Sequence, residues 1–199
     1  MASNTKLVKY LDAKAVKYEP IVHKTVYTAY DTAKTLKKEL SQIAKSLLVS
    51  ADKAYVIVVL PASMRLDMAK LKKAIGAKKI SIPKESVVVK ILKLKKAPVD
   101  AFGGMRKLQV VVDKSLAKSK EAIFNAGTFT DSVAMKVKDF IGAEEATVAS
   151  FAASAGYKKA KASVKKMTAK KATSKTKTKR KPARFKQRRG AVPLKRKKR

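Results

Sequence analysis

The sequence predicts a single α/β domain, a mixed β-sheet or barrel surrounded by helices, followed by a basic, disordered extension. Three observations predict it. Short apolar runs of strand length interleave with stretches of helical spacing between Leu7 and Val137. Glycine, proline and capping residues separate those runs. All 14 acidic residues lie between Asp12 and Glu145, whereas Gly156–Arg199 holds 21 Lys and Arg and no acid. The domain is therefore placed at 1–155 and the extension at 156–199.

The elements follow in chain order. Leu7, Val8, Leu11 and Ala15 predict a short helix capped by Ser3 or Asn4. Tyr18–His23 reads as a strand. Thr28 and Asp31 form a T-x-x-D box that opens a helix over Ala29–Leu40. Ile43–Val49 is extended, and Ala54–Leu60 is a buried strand stopped by Pro61. Leu66–Ile75 has helical spacing and ends on Gly76. Lys79–Ile82 is a short strand and Lys84–Leu94 a helix, despite the helix-poor run Val87-Val88-Val89. A loop covers Lys95–Arg106. Three strands complete the domain, at Leu108–Val112, Ala122–Asn125 and Ser132–Val137.

Several chemistries are excluded. The chain has one histidine and no cysteine, and its carboxylates do not cluster, so neither a metal site nor a disulfide framework is expected. No phosphate-binding loop, dinucleotide fingerprint or G-x-S-x-G elbow occurs. The longest apolar run, near Ala54–Leu60, falls far short of the ~18 residues of a spanning helix. Met1–Lys9 lacks the apolar core of a secretory signal. A cytoplasmic protein without cofactor or membrane partner is the expectation, or a nuclear one in a eukaryote.

Three features carry candidate chemistry, each with a plainer reading. His23 is a base or substrate contact, or a strand-end histidine bonded to backbone. Lys45 interrupts the apolar segment Ile43–Val49; it projects into a cleft or, as periodicity alone favours, into solvent. Phe102-Gly103-Gly104 allows close backbone approach to a ligand, or is a flexible turn.

The ordered set of segments adds a resemblance. It comprises Tyr18–His23 with Thr28–Ala33, Ile43-Ala44-Lys45-Ser46-Leu47, and Val58–Ala62 with Arg65-Leu66-Asp67 and Leu71. Phe102-Gly103, Val112-Asp113 and Asn125-Ala126-Gly127-Thr128 follow in turn. In this order the chain resembles the YbaK/ProX-type aminoacyl-tRNA deacylases, free-standing or synthetase-inserted editing domains, over some two-thirds of its length. The resemblance implies a YbaK-like fold that hydrolyses the ester of a mischarged tRNA; the alternative is a silent relative, a non-catalytic nucleic-acid-binding protein (RNA, DNA or ribosome-associated) built on the same fold. It places the functional lysine on Lys45 and substrate contacts on His23, Thr28, Ser46, Gly103, Gly104 and Gly127. Ala97 and Ala101 stand where the family commonly has Gly and Pro.

The extension has no counterpart in that family's core. Its cations cluster at Lys175, Lys177, Lys179, Arg180 and Lys181, then at Arg184, Arg188 and Arg189, and finally at Lys195, Arg196, Lys197, Lys198 and Arg199. With Met167, Phe185 and Leu194 nearly alone among large apolar residues, it cannot bury enough surface to offset its ordering entropy. Such a segment binds polyanions: tRNA, other RNA or DNA.

Overall fold

A computed structural model describes residues 5–93 and 98–154. The Ser3 or Asn4 cap, Lys95, Lys96 and Ala97, and the extension with its expected disorder and its nucleic-acid-binding residues Lys175–Arg199 lie outside the described residues. Among those described, no helix is long and apolar enough to cross a membrane.

The chain begins with α1 (Thr5–Ala13), which buries Leu7 and Leu11 one turn apart on a single face. After β1 (Tyr18–Val22), helix α2 (Ala29–Leu36) starts at the expected box. Thr28 Oγ1 accepts from the Asp31 amide at 3.1 Å, and the Asp31 carboxylate accepts from the Thr28 amide at 3.1 Å. The helix stops four residues before the expected Leu40, because Lys37 adopts a left-handed φ of 52°.

Strands β2 (Ala44–Ala51) and β3 (Ala54–Pro61) form a hairpin. The expected helix from Leu66 is preceded by strand β4 (Met64–Leu66), and α3 (Met68–Ala74) begins only after Asp67 caps it through the Lys70 amide at 3.1 Å. Gly76, at φ 68°, closes that helix as the sequence predicts. Then come β5 (Ile80–Ser81), α4 (Glu85–Leu92), a 3-10 turn at Gly104–Arg106 inside the expected loop, and β6 (Gln109–Asp113).

Helix α5 (Lys114–Ala117), which the sequence did not announce, is capped by Asp113. Strands β7 (Glu121–Asn125) and β8 (Asp131–Lys136) precede α6 (Val137–Ala143), where Val137 starts a helix instead of ending a strand. The alanine-rich stretch before residue 155 forms β9 (Thr147–Ala149) and β10 (Ala152–Ser154).

Two larger sheets and a two-stranded ribbon result. One sheet has the order β5-β2-β3-β6-β9, antiparallel through β3 and parallel beyond it. The other, β1-β8-β7, is antiparallel, and β10 pairs with β4. A parallel bridge between Ile43 and Ile123 joins β7 to the start of β2. The main core lies between the two sheets, with Phe124 stacked on Phe140 at a centroid distance of 4.2 Å. A second cluster around Val58, Leu60, Leu71 and Phe151 fills the other face of the larger sheet. The mixed α/β fold expected from the sequence is the one observed.

Candidate active site

Where the two sheets meet, β2 leaves an edge open. Pro61 has no N–H, and the Ala62 amide donates to the Ile43 carbonyl at 2.8 Å. Ala44–Pro61 is therefore a non-hydrogen-bonded pair, and alternate β2 residues turn their main-chain groups away from β3. Ser50, in the same phase, uses those groups to pair with β5, which reaches only Ser50 and Ala51. Ser46 thus points its amide and carbonyl at an edge that no strand covers among the described residues.

A cavity of about 170 Å³ lies along that edge. Thr28, Ala29 and Thr32 of the α2 N-terminal turn form one wall, Lys45 and Ser46 another, and Ile123, Asn125 and Ser132 the floor. Val26, Tyr27, Pro98 and Val99 also line it. Lys45 is half-buried and its Nζ donates to the Met64 carbonyl at 3.0 Å. Burial of the ammonium lowers its pKa below the usual lysine range. Periodicity alone favoured solvent for this side chain; the structure puts it in the cavity wall. Ser46 Oγ is buried without a hydrogen-bond partner among the described residues, which is uncommon for a hydroxyl in a folded interior.

The other sequence-predicted residues divide into two groups. Thr28 lines the cavity, but its hydroxyl serves the helix cap and donates to Asp31 Oδ2 at 2.8 Å. His23 lies just behind the floor, its Nε2 2.9 Å from Ser132 Oγ and its Nδ1 2.9 Å from the Lys24 carbonyl oxygen. Gly127, at φ 82°, is in the β7–β8 turn, where its amide donates to Asn125 Oδ1 at 2.7 Å. It shapes the turn that holds Asn125 and is not itself part of the lining.

Gly103 and Gly104, which the resemblance implies as substrate contacts, are not among the residues that line this cavity. The Gly104 amide donates to Glu144 Oε2 at 2.7 Å. A side chain at Gly104 would strike the Tyr10 hydroxyl, and one at Gly103 would strike Val110 and the Leu108 carbonyl. Both glycines are required by close packing. Among the described residues, Pro98 and Val99 are the part of the loop that reaches the cavity.

That part is held by a buried clamp. Asp100 is fully buried; Arg106 grips it with Nη1 to Oδ1 at 3.0 Å and Nη2 to Oδ2 at 2.7 Å. Arg106 Nε also donates to the Leu92 carbonyl at 2.9 Å. Burial pushes the Asp100 carboxyl upward against the pull of Arg106. Sequence reasoning missed this clamp, Asn125 and Ser132. The only signal available was a solitary acid within an apolar loop, Asp100.

Comparison with known proteins agrees with this architecture. The model of the aminoacyl-tRNA editing domain matches residues 23–143, a span containing every cavity residue. The prolyl-tRNA editing protein ProX of Acetoanaerobium sticklandii is 30% identical over 122 residues, covering 58% of this chain and 74% of that protein. The crystal structure of a protein described as a candidate trans-editing enzyme for prolyl-tRNA synthetase superposes with a TM-score of 0.66 at 21% identity. It covers 76% of this chain and 97% of its own. The hypothetical protein APE2540 superposes with a TM-score of 0.68 at 21% identity, covering 74% and 99%. At such identities the two structures establish the fold.

Proposed function

Since the chain belongs to the aminoacyl-tRNA editing domain family, we propose that it is an aminoacyl-tRNA deacylase, hydrolysing the ester that joins a wrong amino acid to tRNA. The observation that carries this reading is one small cavity lined by both Lys45, whose ammonium is partly desolvated, and Ser46, whose hydroxyl is unpartnered among the described residues. A cavity of ~150 Å³ accommodates a molecule the size of benzene. The present one therefore takes the amino acid and leaves the nucleotide outside. Tyr27, 72% exposed at the rim and tilted against Phe129, offers a face on which the terminal base can stack.

An aminoacyl ester is already activated, so orientation and charge stabilisation supply most of the required acceleration. When water attacks the carbonyl carbon, negative charge develops on the carbonyl oxygen. Lys45 meets that charge with its ammonium, and the outward Ser46 amide with a second donor. Thr28 places the α2 terminus against the amino acid. Asn125, fixed by Gly127, sets the floor.

The domain at 1–155 performs the chemistry in this reading, and the basic segment at 156–199 tethers it to RNA. Its 21 cations support the tether, since neutralising phosphates releases counterions whatever the sequence bound. A tether raises the local concentration of substrate without any new contact in the site. Two measurements test the reading. Deacylation over a panel of mischarged tRNAs should reveal at least one substrate hydrolysed well above the uncatalysed rate; no hydrolysis of any would sink it. Removing residues 156–199 should weaken RNA binding and flatten its salt dependence; an unchanged salt slope would assign binding to the domain.

A further inference from the structure

We propose that Ser132 and His23 form the proton-accepting pair of this hydrolysis, Ser132 taking a proton from the attacking water and passing its own to His23. The inference rests on the deacylase reading and supplies the base which that reading lacks.

Among the described residues the cavity lining contains no carboxylate and no imidazole, and the Lys45 ammonium, a donor, gives one hydrogen bond to the Met64 carbonyl. His23 is the only histidine in the chain. Its orientation is fixed from behind: the Lys24 carbonyl can only accept, so Nδ1 carries the ring proton in the neutral form. Nε2 is then an acceptor, and the hydroxyl 2.9 Å away, Ser132 Oγ, donates to it. A nucleophile-activating group, a base and an orienting acceptor thus stand in line, the arrangement expected of an acid–base relay.

Strand register delivers Ser132 to the correct side. Ser132 pairs with Asn125 on β7 and with Ile21 on β1. Side chains alternate along a strand, so Ser132, Asn125 and Ile123 share a face, and that face is the cavity floor. The opposite face carries Phe124, Val133 and Met135 into the main core. Ser132 is 2% exposed, yet it lines the cavity, whereas His23 does not. The order from cavity outward is therefore water, Ser132, His23. With its proton committed to Nε2, Ser132 Oγ keeps its lone pairs for a hydrogen bond from a water molecule in the cavity.

The step balances. Water oxygen bonds to the carbonyl carbon while one water proton moves to Ser132 Oγ and the Ser132 proton moves to His23 Nε2. The bond from that carbon to the ribose oxygen then breaks. The imidazolium returns its proton through Ser132 to the departing oxygen, leaving free amino acid and a tRNA hydroxyl. No oxidant, metal or covalent enzyme intermediate is required.

The test uses the full chain and the mischarged tRNA that wild type hydrolyses fastest in the panel. His23→Ala and Ser132→Ala should each lower kcat by about 10²-fold or more, within the usual range for losing a general base, with KM little changed. Added imidazole should restore much of the His23→Ala rate and none of the Ser132→Ala rate, a result that a merely structural histidine would not give. His23→Gln, which can still accept the Ser132 hydrogen bond but cannot carry the proton, should be as slow as His23→Ala while unfolding like wild type. Wild-type kcat in His23→Gln would overturn the pair and leave the deacylase reading standing. Absence of hydrolysis by wild type itself would overturn both.

Discussion

The Asp100–Arg106 clamp and the Lys45–Ser46 wall both bury polar groups around the same cavity, and they differ in how fully those groups are satisfied. Both oxygens of Asp100 are bonded to Arg106, its Oδ1 also accepts from the Phe102 amide at 3.1 Å, and Arg106 binds two carbonyls besides. Ser46 Oγ has no partner among the described residues, and Lys45 has one acceptor for its three hydrogens. An unsatisfied buried hydroxyl costs about 1–3 kcal/mol. A fold retains such a group where something else supplies the missing bond. On the proposed function, the fully satisfied clamp is architecture, and the open bonds of Ser46 and Lys45 are left for the substrate.

The comparison breaks most visibly at the clamp. Arg106→Ala leaves Asp100 as an uncompensated carboxylate with 0% side-chain exposure, so it should cost about 3–5 kcal/mol, read as a large fall in the denaturant midpoint. Hydrolysis should also decline, because Pro98 and Val99 lose their anchor. A midpoint within ~1 kcal/mol of wild type would show that the clamp is not structural. A smaller effect is expected at the α2 cap. Thr28→Ala removes one side of a reciprocal pair and should cost about 1 kcal/mol, with a modest rise in KM from the loosened wall.

The smallest effect is expected at Glu144, a buried acid outside both regions. Burial raises the pKa of Glu144 above the ordinary glutamate range, although the Gly104 amide and Tyr10 pull it back. The native state therefore binds this proton more tightly than the unfolded chain does. Unfolding free energy falls as pH rises from the ordinary glutamate pKa through the raised one. Glu144→Gln should flatten that part of the stability–pH curve while preserving the acceptor for Gly104. An undiminished slope would assign it to Asp100, which is shifted the same way.

Much of this was legible from sequence where the cause is local. The Thr28–Asp31 box, the Gly76 cap and the β-branched run of β3 each depend on neighbouring residues, and each stands where expected. What escaped depends on distant partners. β9 is only three residues long and β10 is Ala-Ala-Ser; they are held by β6, β4 and Asp113, whose Oδ2 accepts from the Phe151 and Ala152 amides at 2.8 and 2.7 Å. Helix α5 is a single turn made possible by the other oxygen of that carboxylate, which accepts from the Ser115 amide at 2.8 Å. In the candidate site, the resemblance pointed to Lys45, and its place in the cavity lining depends on how β2 packs against distant elements. Ser132 and His23 lie 109 positions apart and meet only through the β1–β8 register. For Gly103 and Gly104, a paired glycine signals close approach without saying to what; here the neighbours are Tyr10, Leu108 and Val110.

The central claim, that the unsatisfied wall is the site and the satisfied clamp its support, is tested most directly by Lys45→Ala with rate and stability measured on the same preparation. Single-turnover deacylation should slow by about 10²–10³-fold, the scale for losing one preorganised stabiliser of a developing oxyanion. The unfolding midpoint should stay at the wild-type value, because removing a partly desolvated cation relieves a burial cost as it loses one hydrogen bond. Wild-type hydrolysis by Lys45→Ala, or a midpoint that drops as far as that of Arg106→Ala, would contradict the account.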